Sequence, residues 1–427
     1  MHLPFFALLP LTAVAAASAI EGRGGGGSHV PNTVVIDGKR LADAKQRLSS
    51  RHPDAELRAA LGHLTAQADT WLSQGPWTVT TKKTAPPNGT VHDYASQAPY
   101  WWPNPNTADG CPYVQRDGVR NPEVDQYQDR LAVGRMFNST YVLSLAWFYT
   151  GRDAYARHAA DILRTWFLDP ATAMNPNLDH AQIIPCANTG RAIGIIDFSQ
   201  EYTNVLDAVA VLESGRGGSH GDFAPGWSRA DSKAFQAWNK RFLTWLTDSP
   251  FGKDEASQSN NHGTFANMQI SALALFVGDK ALARTTSLLA RGFVDAQITS
   301  NGSQPQELAR TRSWHYSNFN LGAHLRWALV ARKVGVDVFG YKGPQGQSVL
   351  KAAGFEVPAA VGGAAAWPYD DIEFARFAAT DNVRAAADAG LCAAREAVKG
   401  KKLQAPPGGD IFVLRPAPQQ LDSIVTL

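Results

Sequence analysis

Strand-like alternation is nearly absent from this chain of 427 residues. Only Trp77 to Thr81 and Asp410 to Arg415 alternate for a few positions, so a sheet-built fold is excluded and helices must carry the core. Charge of one sign is missing too. A formal net charge of +2 argues against bulk nucleic-acid binding, which shows as a basic surplus. A locally basic cleft for an acidic polymer is compatible with that balance. After the N-terminal leader no apolar run is long enough to span a bilayer. The 11 histidines show no paired spacing on one helix face, which removes the usual zinc patterns. There is no phosphate loop, no nucleophile elbow and no repeat of fixed period, so a regular solenoid is excluded as well. We expect no metal, no cofactor, and neither nucleic acid nor membrane as partner.

Cysteine is scarce. The three present cannot all pair within one chain. Cys111 and Cys186 lie in loop-like stretches open to bridging, whereas Cys392 sits in an Ala-rich helical run and reads as a buried thiol. With 44% hydrophobic and 18% charged residues, the chain is globular in composition and long enough for one large core or two modest ones. Met1 to Ala19 has an apolar run from Leu3 to Ala16 and a small-residue cleavage site, the form of a secretory signal, although its start lacks Lys or Arg. Residues 20–30 read as a Gly-rich linker, either an added protease site and spacer or a native low-complexity stretch. Residues 31–427 read as one domain, expected to be exported and monomeric. Asn88-Gly89-Thr90, Asn138-Ser139-Thr140 and Asn301-Gly302-Ser303 are glycosylation sequons whose weight comes from that secretory context.

Helical periodicity dominates from Leu41 onward. Leu57, Leu61, Leu64, Ala68 and Leu72 mark one amphipathic face, closed by Gly75-Pro76. Arg130 to Tyr149 and Ala154 to Phe167 flank Gly151 as a pair, and Thr189 to Leu212 reads as one long helix. Phe235, Trp238, Phe242 and Trp245 form an aromatic stripe in Arg229 to Leu246. Phe265, Met268, Ala272 and Phe276 form another, and core packing is the default reading of both. Ala281 to Ile298, Phe319 to Val334 and Ile372 to Val398 complete the set. Successive helical hairpins joined by long loops predict an all-α fold, an (α/α) toroid or incomplete helical barrel.

Loops on a rigid scaffold carry sites. Lys82 to Pro112 holds Lys83 and the run Tyr100-Trp101-Trp102, which suits either stacking on sugar rings or anchoring of the loop by burial of two of the three. Arg116 and Arg120 follow, and Asn175 to Gly190 brings His180 and Gln182. Glu213 to Ser228 is glycine-rich. Asn260-Asn261-His262 stands at the start of a helix, where an asparagine caps the backbone and free N–H groups favour an anion. Arg310-Thr311-Arg312-Ser313-Trp314-His315-Tyr316 opens another. Arg310 offers a planar fork for a carboxylate and, near a phenol, lowers its pKa from about 10. Together the two groups suit holding a carboxylate while moving a proton beside it.

Asn261-His262, Gln304 to Arg310 and Tyr316, with the Tyr100-Trp101-Trp102-Pro103 and Asn175-Pro176-Asn177-Leu178 loops, resemble the alginate lyase domain family of polysaccharide lyases. The resemblance runs in order from about Lys82 to Val334. It implies the (α/α) toroid, an acidic polysaccharide substrate, Tyr316 as catalytic acid and base, and Asn261, His262 and Arg310 as the residues managing the substrate carboxylate. Lys83, Tyr100, Trp101, Trp102, Arg116, His180, Gln182 and Arg312 are the candidate substrate-binding residues. Cys186 stands where the family pattern suggests a small residue, and His180 where it suggests an aromatic one.

The chemistry so implied is β-elimination on a β-1,4-linked polyuronate, mannuronan-type alginate or glucuronan. Removal of the C5 proton passes through an enolate-like dianion, which preorganised donors stabilise. In mannuronate and glucuronate the C5 hydrogen and the C4 oxygen share a side, so one residue can serve both steps. Guluronate presents the opposite geometry and calls for a second group, with His262 as the base. Two rivals remain: a glycoside hydrolase on a similar toroid, needing two carboxylates about 5–10 Å apart from among Asp93, Asp117, Asp179 and Glu307, and a non-catalytic carbohydrate-binding protein.

Overall fold

The computed structural model describes residues 30–51, 54–215 and 223–419. The signal segment 1–19, nearly all of the linker and the middle of the Glu213–Ser228 stretch lie outside the described residues. In chain order the helices are α1 (Gly38–Leu48), α2 (Ala55–Trp71), α3 (Asp129–Thr150), α4 (Asp153–Phe167), α5 (Ile196–Ser199), α6 (Tyr202–Glu213), α7 (Arg229–Asp248) and α8 (Pro250–Ser257). They continue with α9 (Asn261–Phe276), α10 (Lys280–Gln297), α11 (Pro305–Leu308), α12 (Ser313–Lys333), α13 (Val349–Gly362), α14 (Thr380–Asp388) and α15 (Cys392–Lys399). The fold is an all-α toroid.

Inner and outer helices alternate. α3, α6, α9, α12 and α14 pack side by side in that order, each backed by an outer neighbour such as α4 behind α3 or α10 behind α9. Outer helices keep one apolar stripe: in α10 only Ala283, Thr286, Ser287, Ala290, Val294 and Gln297 are buried. Inner helices are buried nearly all round, and they bury polar side chains such as Asn204, Asp207, Asn267 and Gln269 along with apolar ones. The buried side chains fall into two clusters, one built on α1 to α9 and the other on α9 to α15, so the two-core alternative holds. Between α14 and α3 the C-terminal segment is wedged in: Arg415 pairs with Asp381 of α14 at 2.6 Å, and Tyr149 of α3 donates to the Leu414 carbonyl at 2.8 Å.

Several expectations need correction. Trp77 to Thr81 and Asp410 to Arg415 are not strands; they contain 3-10 turns at Val79–Thr81 and Phe412–Leu414. The strands lie in the loops instead: β1 (Ala95–Gln97), β2 (Trp101–Trp102), β3 (Val114–Gln115) and β4 (His180–Ile183), with β1 parallel to β4 and β2 antiparallel to β3. Thr189 to Leu212 is not one helix. It opens as a 3-10 turn at Ala192–Ile195, where an added Cβ on Gly194 would lie 2.6 Å from the Ala181 carbonyl oxygen; that close approach to β4 deflects the chain before α6 begins. Ile372 to Val398 is likewise split into α14 and α15 around Gly390, which has φ +105°. Cys392 is exposed rather than buried, because Ala394 and Ala397 carry the buried stripe of α15. Cys111 and Cys186 are bridged.

Candidate active site

The first turn of α9 is fixed from three sides. Asn260 is its N-cap, its Oδ1 accepting from the His262 N–H at 3.1 Å. A Cβ on Gly263 would lie 1.9 Å from the Gln258 carbonyl oxygen, so only glycine lets the α8–α9 turn pass this close. Asn261 is buried, and Glu307 of α11 accepts from both its backbone N–H (2.8 Å) and its side-chain Nδ2 (2.7 Å). Glu307 takes the backbone N–H and one of the two Nδ2 hydrogens; what Asn261 keeps for a ligand is the second Nδ2 hydrogen and the acceptor Oδ1. The His262 ring lies with Nδ1 2.7 Å from Oε1 of buried Glu255. That contact places a proton on Nδ1 and leaves Nε2 for the cavity.

α12 delivers the second group. Its N-terminus lacks a local cap, and Asp371, far along the chain, accepts from the Trp314 N–H at 2.7 Å. Tyr316 is 7% exposed and donates to the Tyr100 hydroxyl at 3.0 Å. The Arg310 guanidinium lies over the Tyr316 ring, 3.7 Å from its centroid. Its Nε and Nη2 edge is held by Asp117 at 3.1 and 2.5 Å, leaving Nη1 open. Burial pushes the Tyr316 phenol well above its usual range, Tyr100 adds to the rise, and the Arg310 charge opposes both. Arg310 does lower this pKa, as the sequence leads one to expect, but by less than the other causes raise it. Burial wins, and Tyr316 rests protonated.

Both groups open onto one cavity of about 380 Å³, lined by Tyr100, Trp101, Gln182, Asn261, His262, Arg310, His315 and Tyr316 among others. The remaining candidates fall elsewhere. Trp102, next to Trp101 on β2, points to the opposite face; Arg116 covers its ring at 4.8 Å, and neither lines the cavity. None of the three consecutive aromatics is fully buried. Lys83 is exposed and off the cavity lining, while Lys82 turns inward to Asp129 at 2.9 Å. His180 is buried, with Nδ1 3.1 Å from the Thr189 carbonyl. Arg312 faces away toward Glu373 at 3.0 Å.

Residues 78–367 match the family model described as alginate lyase. The chain belongs to the alginate lyase family. A crystal structure of an alginate lyase from Bacteroides ovatus is similar over 90% of this chain and 99% of that one, at 32% identity and a TM-score of 0.82. Alginate lyase A1-III from Sphingomonas species A1 covers 91% of this chain and 97% of its own at 17% identity and a TM-score of 0.55, a likeness of fold. A histidine-to-alanine variant of A1-III complexed with a tetrasaccharide aligns similarly, at 16% identity and 0.56. No curated protein matches.

As a polysaccharide lyase, the chain has no use for the hydrolase carboxylates, and their surroundings agree. Asp117 serves Arg310; burial works against its charge, but hydrogen bonds from Arg310 and Thr311 hold its carboxyl below the ordinary range. Asp93 accepts from Thr90, Asn175 and Asn177, and Asp179 from the Trp245 indole. Glu307 has both oxygens on Asn261. Sequence reasoning missed Glu255 and the partnerships of Asp117 and Glu307. Only the tertiary fold brings Asp117 193 positions away from its own number to Arg310, and nothing in Lys253-Asp254-Glu255 marks the third residue as the buried one. Arg130, Arg191 and Gln97, also on the lining, were missed as well.

Proposed function

We propose that this lyase cleaves a β-1,4-linked polyuronate, alginate or glucuronan, by β-elimination, with Tyr316 exchanging protons at C5 and O4. The observation that carries the reading is the convergence of the α9 and α12 N-termini, which brings His262, Arg310 and Tyr316 onto one cavity. The name of the Bacteroides ovatus relative favours alginate. The substrate carboxylate is met by the His262 ring, which Glu255 orients through Nδ1, and by the open Nη1 of Arg310. Neutralising the carboxylate makes the C5 proton acidic. Tyr316 first gives up its proton along the hydrogen bond to Tyr100, whose hydroxyl releases its own proton to solvent as it takes this one. The phenolate, stabilised by Arg310, then takes the C5 proton. As the C4–O bond breaks and C4=C5 forms, the same proton goes to the departing O4. For guluronate, Nε2 of neutral His262 is the base on the opposite face.

The Cys111–Cys186 bridge supports export, since such bonds persist in oxidising compartments. Asn88 and Asn301 are exposed and suit glycosylation, whereas Asn138 sits on α3 with Ser139 and Thr140 fully buried. The deciding experiment follows ultraviolet absorbance and reducing ends on separate mannuronan, guluronan and glucuronan. Absorbance rising on one polymer establishes elimination and names the substrate. Reducing ends without absorbance mean hydrolysis, and a flat result in both means a binding protein.

A further inference from the structure

Arg191 is the cavity's unexplained charge. It follows β4 at the end of the Asn175–Gly190 loop and reaches the lining. Among the described residues no carboxylate comes within 4.0 Å of its guanidinium; its side-chain bond is Nη2 to Gln182 Oε1, at 2.7 Å. Its Nε is buried without a partner. Every other arginine on the cavity has an acid: Arg120 has Asp125, Arg130 has Asp197 and Arg310 has Asp117. Asp197 is the acid nearest at hand, and it is saturated. Its Oδ2 accepts from Tyr94 at 2.9 Å and Ser96 at 2.5 Å, and its Oδ1 accepts from Gln182 at 3.1 Å and faces Arg130 at 3.7 Å.

The local backbone is arranged around this arginine. Gln182 takes a left-handed φ of +53°, strain that a side chain seldom bears without reason. Its amide is gripped at the nitrogen by Asp197, so the oxygen is the end turned to Arg191. On the neighbouring strand, Gln97 is 3% exposed, lines the same cavity, and has its Nε2 unpartnered. A half-buried guanidinium with no acid in contact is costly, because burial favours the neutral form; burial pulls Arg191 down to about 10 even though the more distant charges of Asp197 and Glu255 oppose it. A ligand anion would remove that cost.

We propose that Arg191, with the amide of Gln97, forms a second carboxylate subsite that binds the uronate next to the one undergoing elimination. The subsite rests on the proposed polyuronate reading and deepens it. Arg191, Gln97 and Gln182 belong to the β1–β4 side of the cavity, whereas Tyr316 and Arg310 belong to α12 and the segment before it. The consequence is a requirement for two consecutive acidic sugars. Charge-assisted contacts of this kind are worth roughly 1.5–3 kcal/mol, about ten- to a hundredfold in affinity.

The test uses the full chain with trimannuronate and triglucuronate. Arg191→Gln should raise KM about tenfold or more while kcat stays within about twofold, and Arg191→Lys should recover part of the loss. In a Tyr316→Phe background, calorimetric Kd for the same trimers should weaken equally, and binding should lose part of its salt dependence. An unchanged KM and Kd, a fall in kcat at constant KM, or no recovery with lysine would overturn the subsite. If Arg191→Gln does not fold, the lysine variant and its salt dependence decide alone. Absence of unsaturated product from the unsubstituted enzyme would instead sink the elimination reading, and the calorimetric titrations would still report on Arg191.

Discussion

At the scale of the residue, the proposed chemistry turns on the balance of charge and burial around Tyr316. A buried phenol with a second phenol 3.0 Å away holds its proton tightly, and only Arg310 pulls the other way. Tyr316→Phe keeps the ring beneath Arg310 and removes the proton carrier. It should abolish turnover, measured as unsaturated product, and leave oligouronate Kd within about threefold. Arg310→Gln removes the opposing charge, so the phenol rises further. Because the proposed base must be deprotonated, the limb of kcat/KM that climbs with pH should move to higher pH, with a loss of about a hundredfold or more near neutrality. A limb that stays in place would take Arg310 out of this role.

At the scale of the element, α12 carries both the proposed acid and base, Tyr316, and a buried liability. His324, about two turns beyond Tyr316 on that helix, is 1% exposed; its Nε2 binds Gln297 Oε1 at 2.9 Å and its Nδ1 has no partner. Burial pulls its pKa from 6.5 down to about 3. Above pH 6.5 folded and unfolded chains are both neutral there, and the residue adds no pH dependence. Below it the unfolded chain takes up a proton that the folded one refuses, so stability is lost as pH falls from 6.5 toward 3, by at most about 5 kcal/mol. His324→Gln should flatten that slope in denaturant titrations across the interval. The outer helices were legible in the sequence because each buries one stripe, as Leu57, Leu64 and Ala68 do in α2. Inner helices show weaker periodicity because burial on all sides erases it, and the break before α6 depends on contact with β4. In the site, Asn260, Asn261 and His262 were legible as a cap and its neighbour, and Arg310 and Tyr316 as a pair. Asp117 and Asp371 were not legible as partners, since each acts across the fold on Arg310 or Trp314, nor was Glu255, since nothing near it marks it as the buried acid on His262 seven positions later.

At the scale of the whole molecule, the ring depends on its fastening. Residues 404–417 touch α1, α2, α3 and α14, and Arg415 and Asp381 are both buried where they meet. Arg415→Met strips the aspartate of its cation and should cost about 3–5 kcal/mol, the usual penalty for leaving one member of a buried pair alone. Equilibrium unfolding measures it, and a cost under about 1 kcal/mol would mean that the wedge is held by other contacts. The same fastening has a meaning during synthesis. A ribosome releases the helical hairpins one after another, and each can pack on the last as it appears. Arg415 leaves the tunnel after nearly every other part of the ring, so α3 must wait, one flank uncovered, for a partner encoded 265 residues after Tyr149. Closure is therefore a late event in the life of each chain, and the open flank of α3 is the surface that a nascent-chain chaperone would need to guard.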